Sequence, residues 1–310
     1  MALKQSLLLL AVIVIAGCTG LSPGIPSGVK IQQFYADPNQ IYAGEQVTFV
    51  LNVQNIGSSD ATEGVAQMYR LGPDWTYPSN NAIQSIGSLQ PGATNTLLWI
   101  LNSPTSISTS TRTDYANVRV YYKYTSDASA TLDFITLTYL NGLNTTERNL
   151  VLSGATLTQQ STTNSPIIVN FSTSGNPLVV TGDNQPFSFF VTVSNIGQGT
   201  PLDNSSPYTT QTDFSSLIAN KVFMTISSSF PDQSPGPQLF CSYLDPTTYA
   251  SSITNQIKIL SNNQVRISCQ IYVSPIQIPG GRIDFHVAVE LGYGYYLDNS
   301  TSIIITKTPF

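Results

Sequence analysis

Polar and apolar residues alternate with a period of two along much of this chain. Val47, Phe49, Leu51 and Val53 alternate with polar or smaller residues and run into Asn55-Ile56-Gly57. Phe187, Phe189, Val191 and Val193 repeat the pattern and run into Asn195-Ile196-Gly197 without a gap. A period of two puts every second side chain on one face, as in a strand with one buried side. Asn and Gly tolerate left-handed backbone, so each Asn-Ile-Gly predicts a strand-ending turn. The chain is therefore read as an internal duplication.

The same pattern predicts strands at 29–34, 65–71, 95–101, 117–124 and 131–139 in the first half. In the second half it predicts 167–172, 221–227, 238–244, 256–260, 264–273, 282–291 and 302–307. Gln90-Pro91-Gly92 reads as a turn, and 107–113 and 200–216 read as loops. No window beyond the first residues has a convincing helical period. Short strands split by Gly, Pro, Asn and Ser clusters favour a sandwich. The expected fold is all-β, with two tandem immunoglobulin-like β-sandwiches at 29–150 and 151–310. The boundary is placed in 141–164, which is rich in Asn, Thr, Ser and Gln, although 150–157 offers a further strand.

The N-terminus changes the picture. Lys4 precedes an apolar run over 7–16, the layout of an export signal over 1–17. A membrane-spanning helix needs about 20 residues, so this run reads as a cleaved leader. Ile15-Ala16-Gly17-Cys18 looks like a lipobox, which would make Cys18 an acylated first residue of the mature chain. The alternative is an ordinary secretory signal with a chance cysteine. Gly20, Pro23, Gly24, Pro26 and Gly28 mark 18–28 as a flexible tether. Cys241 and Cys269 then remain as a pair. Both alternate with apolar neighbours, so they point inward from their strands and are expected to form an inter-strand or inter-sheet disulfide.

Charged residues make up 9 % of the chain and the net charge is −5, with no basic stripe. That argues against a nucleic-acid partner. It also leaves the lipid anchor as the expected membrane link. A core is affordable, since 41 % of residues are hydrophobic. The surface must then be mostly Ser, Thr, Asn and Gln, which suits an exported β-protein.

The run Ile41-Tyr42-Ala43-Gly44-Glu45-Gln46 into the 47–57 strand, followed by Ile86-Gly87-Ser88-Leu89-Gln90-Pro91-Gly92, resembles the CARDB type of immunoglobulin-like module. The resemblance covers 30–125. The second copy keeps Asn195 and Gly197 but lacks a clear Leu-x-Pro-Gly turn. The resemblance implies cell-surface adhesion or structural spacing and supplies no catalytic residue.

The residues that could carry chemistry are few. His286 is the only histidine and shares the polar face of its strand with Asp284 and Glu290. That face could hold a metal weakly, but a solvated face is the simpler reading. Gly20-Leu21-Ser22-Pro23-Gly24 spells Gly-x-Ser-x-Gly but falls in the tether and not at a strand-to-helix turn, so no nucleophile elbow supports a triad, and His-Glu-x-x-His is absent. The carboxylates Asp60, Glu63, Asp74, Asp183, Asp203, Asp213, Asp232, Asp245 and Asp298 lie in or near predicted turns, and no pair stands out for glycoside chemistry. Asp183-Asn184 and Asp298-Asn299 could each form a calcium loop, but plain turn chemistry accounts for both. No catalytic residue, metal or cofactor is expected.

Aromatic residues give the strongest binding candidates. Trp75 and Tyr77 flank a turn, and Tyr293, Tyr295 and Tyr296 follow the predicted 282–291 strand. Exposed rings stack on sugars or anchor a protein, whereas buried rings cap sandwich ends. Sequons occur at Asn144, Asn170, Asn204 and Asn299, about as often as chance predicts, and all but Asn170 look loop-borne. The expected function is a lipid-anchored extracellular module for structure, adhesion or envelope assembly, with a surface protein or glycan as partner. The alternatives are a carbohydrate- or solute-binding lipoprotein using the aromatic loops, and a filament subunit joined by strand addition at open sheet edges.

Overall fold

The alternation is realised in seventeen strands among the described residues of this computed structural model, which are 27–308 apart from 73, 78–81, 155–156, 162–163, 211–213, 230–237, 243–251 and 260–262. The expected leader, Cys18, nearly all of the tether, and Asp213, Asp232 and Asp245 lie outside them. The first half holds β1 (Val29–Asp37), β2 (Gln40–Tyr42), β3 (Gln46–Asn55), β4 (Ala61–Tyr69), β5 (Ile83–Leu89), β6 (Thr94–Asn102) and β7 (Thr111–Thr136). Two helices follow, α1 (Leu137–Gly142) and α2 (Thr145–Gly154). Next come β8 (Thr158–Ser161), β9 (Ile167–Thr173), β10 (Leu178–Val180), β11 (Gln185–Asn195), β12 (Thr200–Leu202) and β13 (Lys221–Ser229). The chain closes with β14 (Gln238–Cys241), β15 (Ser252–Lys258), β16 (Gln264–Val273) and β17 (Arg282–Thr306). The fold is an all-β sandwich.

The helices depart from the sequence reading, which extended a strand to 139. They are set by caps and not by an apolar stripe. Thr136 Oγ1 accepts from Tyr139 N–H at 3.2 Å. Asn144 and Glu147 cap each other reciprocally, at 2.9 and 3.2 Å. Leu140 is the buried residue of α1.

Three sheets form. One has the order β1-β3-β6 and another β14-β16-β11-β9. The third is ten-stranded, with β15-β13-β17-β7-β4-β5 as its path and β2, β8, β10 and β12 along it. Its spine is the antiparallel pair β7–β17, in register from Arg282↔Ile135 to Thr306↔Thr111 with no shift. At about 3.3 Å per residue, such a ribbon is roughly 80 Å long. Even-numbered residues of β7 face inward from Asp114 to Phe134. The sequence reading split each of these strands in two.

The duplication is preserved in the pairing. Val29↔Asn55 and Val53↔Asn95 in the first half match Ile167↔Asn195 and Val193↔Val265 in the second. Thr62↔Lys123 matches Leu202↔Gly294, so β12 and β13 together stand where β4 stands, with 203–220 inserted between them. The central pairs Tyr124↔Tyr293 and Tyr122↔Tyr295 exchange under the same correspondence. The ribbon is thus pseudo-two-fold about its centre. Short β2 pairs in parallel with the far end of β17, and short β10 with the far end of β7.

Each half therefore contributes a strand to the other. The start of β7 and the end of β17 back β1-β3-β6, while the end of β7 and the start of β17 back the second layer. A line at residue 150 falls inside α2 and does not separate the sheets. One apolar cluster runs through both halves, from Val29 and Phe49 to Phe189 and Ile305.

Cys241 and Cys269 form the expected disulfide between adjacent, directly opposed strands, with Cα atoms 4.0 Å apart. Both are buried.

Candidate functional site

The most organised chemistry lies at the centre of the ribbon. Tyr122 and Tyr124 project from β7, and Tyr293 and Tyr295 from β17, all on one face because the residues alternate inward. Their rings form a quartet with neighbouring centroids 5.7–6.3 Å apart. All four are buried.

Two of the hydroxyls meet a turn of the opposite layer. Tyr124 Oη accepts from Ser59 N–H at 3.0 Å, and Tyr295 Oη accepts from Gly199 N–H at 3.0 Å. Tyr295 also donates to Asn195 Oδ1 at 2.8 Å. Asn55 Oδ1 and Asn195 Oδ1 accept from Gly57 and Gly197 N–H at 3.0 and 3.2 Å. These are Asx turns, and neither glycine takes the left-handed backbone expected from the sequence. Glycine is needed here for close approach, since a Cβ at Gly57 or Gly197 would overlap the Oη of Tyr124 or Tyr295.

The remaining hydroxyls differ between the copies. Tyr293 Oη lies 2.7 Å from Ser126 Oγ and 3.2 Å from Ser165 Oγ. The two serine hydroxyls also bond to each other, and Ser165 donates to Ile167 O at 2.6 Å. Tyr122 Oη accepts a long bond from Val29 N–H at 3.4 Å. Burial pushes Tyr122 and Tyr293 well above the ordinary tyrosine range and Tyr295 up to about 12. At neutral pH these groups are protonated donors, and the quartet acts as a lock between layers.

The opposite face of the ribbon carries a second cluster that the sequence reading missed. Val65, Tyr121, Leu202, Tyr208 and Phe214 are buried together there. Tyr121 stacks on Phe214 with centroids 4.0 Å apart. Glu63 holds this cover down, since Oε1 pairs with Lys123 Nζ at 2.9 Å and Oε2 accepts from Tyr208 N–H at 2.8 Å. Tyr208 Oη lies over Gly294, where a Cβ would overlap it. The clue in the sequence was Tyr121, an aromatic residue on an otherwise polar strand face.

The expected aromatic contact residues are corrected by this geometry. Tyr293 and Tyr295 are 0 % exposed and Trp75 only 6 %, so none presents a ring to a ligand. Gly292 and Gly294 are not a loop but lie within β17, beneath the inserted segment. Trp75 Nε1 donates to Asp114 Oδ2 at 2.7 Å, and its ring meets Phe49 edge-on. Tyr77 is half-buried against the core. Tyr296 is half-buried on the other face, with Arg119 Cζ 4.1 Å above its ring. The five residues are not brought together.

The polar candidates are also placed. His286 is exposed and its Nδ1 lies 3.0 Å from Thr131 Oγ1. Asp298 holds Arg119 through two bonds, at 2.6 and 2.7 Å, and accepts from Tyr69 Oη at 3.0 Å. A guanidinium therefore stands at Asp298, where a calcium loop would need a cation. Among the described residues, no three His, Cys, Asp or Glu side chains are grouped to hold a metal ion. Asn144 is exposed and caps α2, Asn170 is exposed on β9, and Asn204 is half-buried in the inserted segment. Asn299, read as loop-borne, pairs with Val118 within β17. Among the described residues, no helix is long and apolar enough to cross a membrane.

No family model matches the chain, and no curated protein does. Solved structures give low similarity. A cycloisomaltooligosaccharide glucanotransferase from Paenibacillus sp. is 21 % identical over 31 % of this chain and 12 % of that one, with a TM-score of 0.22. The secreted serine protease VesC from Vibrio cholerae is 11 % identical over 86 % of this chain and 50 % of that one, with a TM-score of 0.21. The E. coli chaperone DraB is 12 % identical over 32 % of this chain and 44 % of that one, with a TM-score of 0.18. The matched parts span half or less of each of those chains.

Proposed function

We propose that this chain is a lipid-anchored protein of the outer cell surface, serving as a rigid structural, adhesion or envelope-assembly module. The reading agrees with its resemblance to CARDB-type modules. The observation that carries it is the unbroken β7–β17 ribbon, which ties two sandwiches into one body with no linker to bend. Tyrosine hydroxyls held neutral by burial suit a lock better than a reaction, so no enzyme activity is proposed.

Ser27 lies near the ribbon's centre, because Val29, two residues on, contacts Tyr122. A nine-residue tether from Cys18 reaches about 30 Å. The anchor would then attach at the waist, with a sandwich extending to each side.

Two measurements test this reading. Cys18→Ser should move the protein from the membrane fraction to the medium, and unchanged retention would contradict the anchor. Spin labels at Tyr115→Cys and Ile276→Cys, both strongly exposed, sit in different sandwiches. They should give one narrow distance distribution, whereas a broad one would overturn the rigid module.

A further inference from the structure

The two copies differ at one edge. In the second half, β8 pairs antiparallel with β7 from Ala128↔Ser161 to Thr131↔Thr158. Its Gln159 side chain clamps the backbone of Phe171 on β9, donating to the carbonyl at 2.7 Å and accepting from the N–H at 3.0 Å. β8 thereby closes the gap between the ribbon and the edge of the other sheet. Under the duplication, this stretch of β7 corresponds to 299–302 of β17. Besides β7, β17 pairs with β13 at 286–292, β12 at 294–296 and β2 at 304–306. Among the described residues, no strand pairs with its outer edge at 297–303.

The groove left there runs between β17 and β1. One part is a cavity of about 200 Å³ lined by Ser27, Lys30, Gln198 and Asn299 among others. A wider opening continues along Gln32 to Tyr35, with Asn299 again on its wall. Phe34 in that opening is the counterpart of Phe171, since they pair with Leu51 and Val191 respectively. The groove also holds an orphan. Ser27 is 8 % exposed, and its hydroxyl has no hydrogen-bond partner among the described residues. Its counterpart Ser165 bonds to Ser126, but Leu297 stands at the position matching Ser126. A buried hydroxyl without a partner is uncommon in folded proteins.

We propose that the 297–303 edge of β17, with its groove against β1, accepts one added strand from a partner protein. The occupant is an extended, uncharged polar segment running antiparallel to β17. Its direction and chemistry follow from Thr-Gln-Gln-Ser of β8, the segment that fills the equivalent gap in this molecule. Main-chain hydrogen bonds would supply affinity, and a Gln side chain could clamp Phe34 as Gln159 clamps Phe171. The proposal does not depend on the anchor.

The probe is a synthetic peptide with the sequence of residues 157–166, carrying cysteine in place of Ser161. The corresponding position on the full chain is Asn299→Cys. In a glutathione redox buffer the two should form a mixed disulfide, seen by intact mass. A peptide with cysteine in place of Gln160 should link at least tenfold less, because that side chain points the other way. On the unmodified chain, 1 mM peptide should slow amide exchange at 297–303 at least fivefold, which tests the edge without any substitution. Equal linkage by both peptides, or no exchange protection, would overturn the proposal. So would binding seen only after residues 19–26 are deleted, which would assign the edge to this chain's own leading segment. Concentration-dependent self-association through the same edge would also replace the partner with a second copy.

Discussion

Tyr295→Phe is the most informative perturbation, because it predicts both a loss of stability and a change in its pH dependence. The substitution removes only the hydroxyl. Gly199 N–H then loses its acceptor, while Asn195 Oδ1 keeps the bond from Gly197. Two hydrogen bonds are lost, one buried and one half-buried, each worth about 0.5–1.5 kcal/mol. At pH 8 we expect a loss of about 2 kcal/mol, or a fall in Tm of about 4–8 °C for a chain of this size. The alkaline limb gives the sharper test. Burial raises the Tyr295 pKa to about 12, against an ordinary value of about 10. Above pH 10 the unfolded chain releases this proton first, so the folded state binds more protons. The stabilisation is complete below pH 10 and is lost as pH rises through 12. At about 1.4 kcal/mol per pH unit, that amounts to about 3 kcal/mol. The phenylalanine variant has no such proton, so the gap of about 2 kcal/mol should close near pH 11–12 and then reverse. Tyr122, Tyr208 and Tyr293 make both proteins fall steeply there, and the difference isolates Tyr295. Guanidinium titrations followed by far-UV circular dichroism at several pH values measure it, with Tyr115→Phe as an exposed control. A gap constant from pH 8 to pH 11.5, or absent at pH 8, would refute the lock.

The remaining expectations follow from the same geometry. Gly294→Ala places a methyl group on Tyr208 Oη and should cost about 1–3 kcal/mol in thermal or chemical unfolding, whereas Gly142→Ala, with open space around it, should be close to neutral. Replacing Cys241 and Cys269 together by serine opens a loop spanning 28 residues and should lower stability by about 3–4 kcal/mol, seen as a shifted denaturant midpoint. Both tryptophans, Trp75 and Trp99, lie in the first half, yet their fluorescence should unfold together with circular dichroism of the whole chain, because the shared ribbon couples the halves; two separate transitions would show independent modules.

Local pattern made much of the fold legible. β16 has the bounds read from alternation, and β9 and β13 begin where expected. The disulfide was visible because both cysteines fall on inward positions. The turn at Gln90-Pro91-Gly92 was visible from its residue types, and Gly92 indeed has positive φ. The ribbon's continuity was not legible. Residues 125–129 are small and polar, and 292–300 sets tyrosines among Gly292, Gly294, Asp298, Asn299 and Ser300, so both stretches read as turn chemistry. In the folded chain Ser126 faces the buried hydroxyls, and Gly292 and Gly294 make room for Asn204 and Tyr208. Those neighbours are distant in sequence, so no local rule anticipates them. The candidate site failed for the same reason. An aromatic cluster beside glycines looks exposed until the partner strand is known. Period two tells which face a residue is on, but not which strand will cover it.

The differences between the two copies say where an interaction belongs. An uncovered strand edge invites pairing, and proteins manage it by covering or shortening the edge. The second half covers its edges. β8 lies along β7, β14 lies along β16 and is fixed there by the disulfide, and the 203–220 segment folds over the ribbon's outer face. The first half has no counterpart of these additions among the described residues. Among the described residues, beyond β3, β6 pairs only at the Thr76↔Asn102 bridge, and the 297–303 edge of β17 is open. Both copies share one ribbon and one cluster of apolar residues, so stability does not require the edges of one half to stay open. The asymmetry is what the proposed strand addition requires. On that proposal the contact lies on the first half, close to where the tether would join the waist.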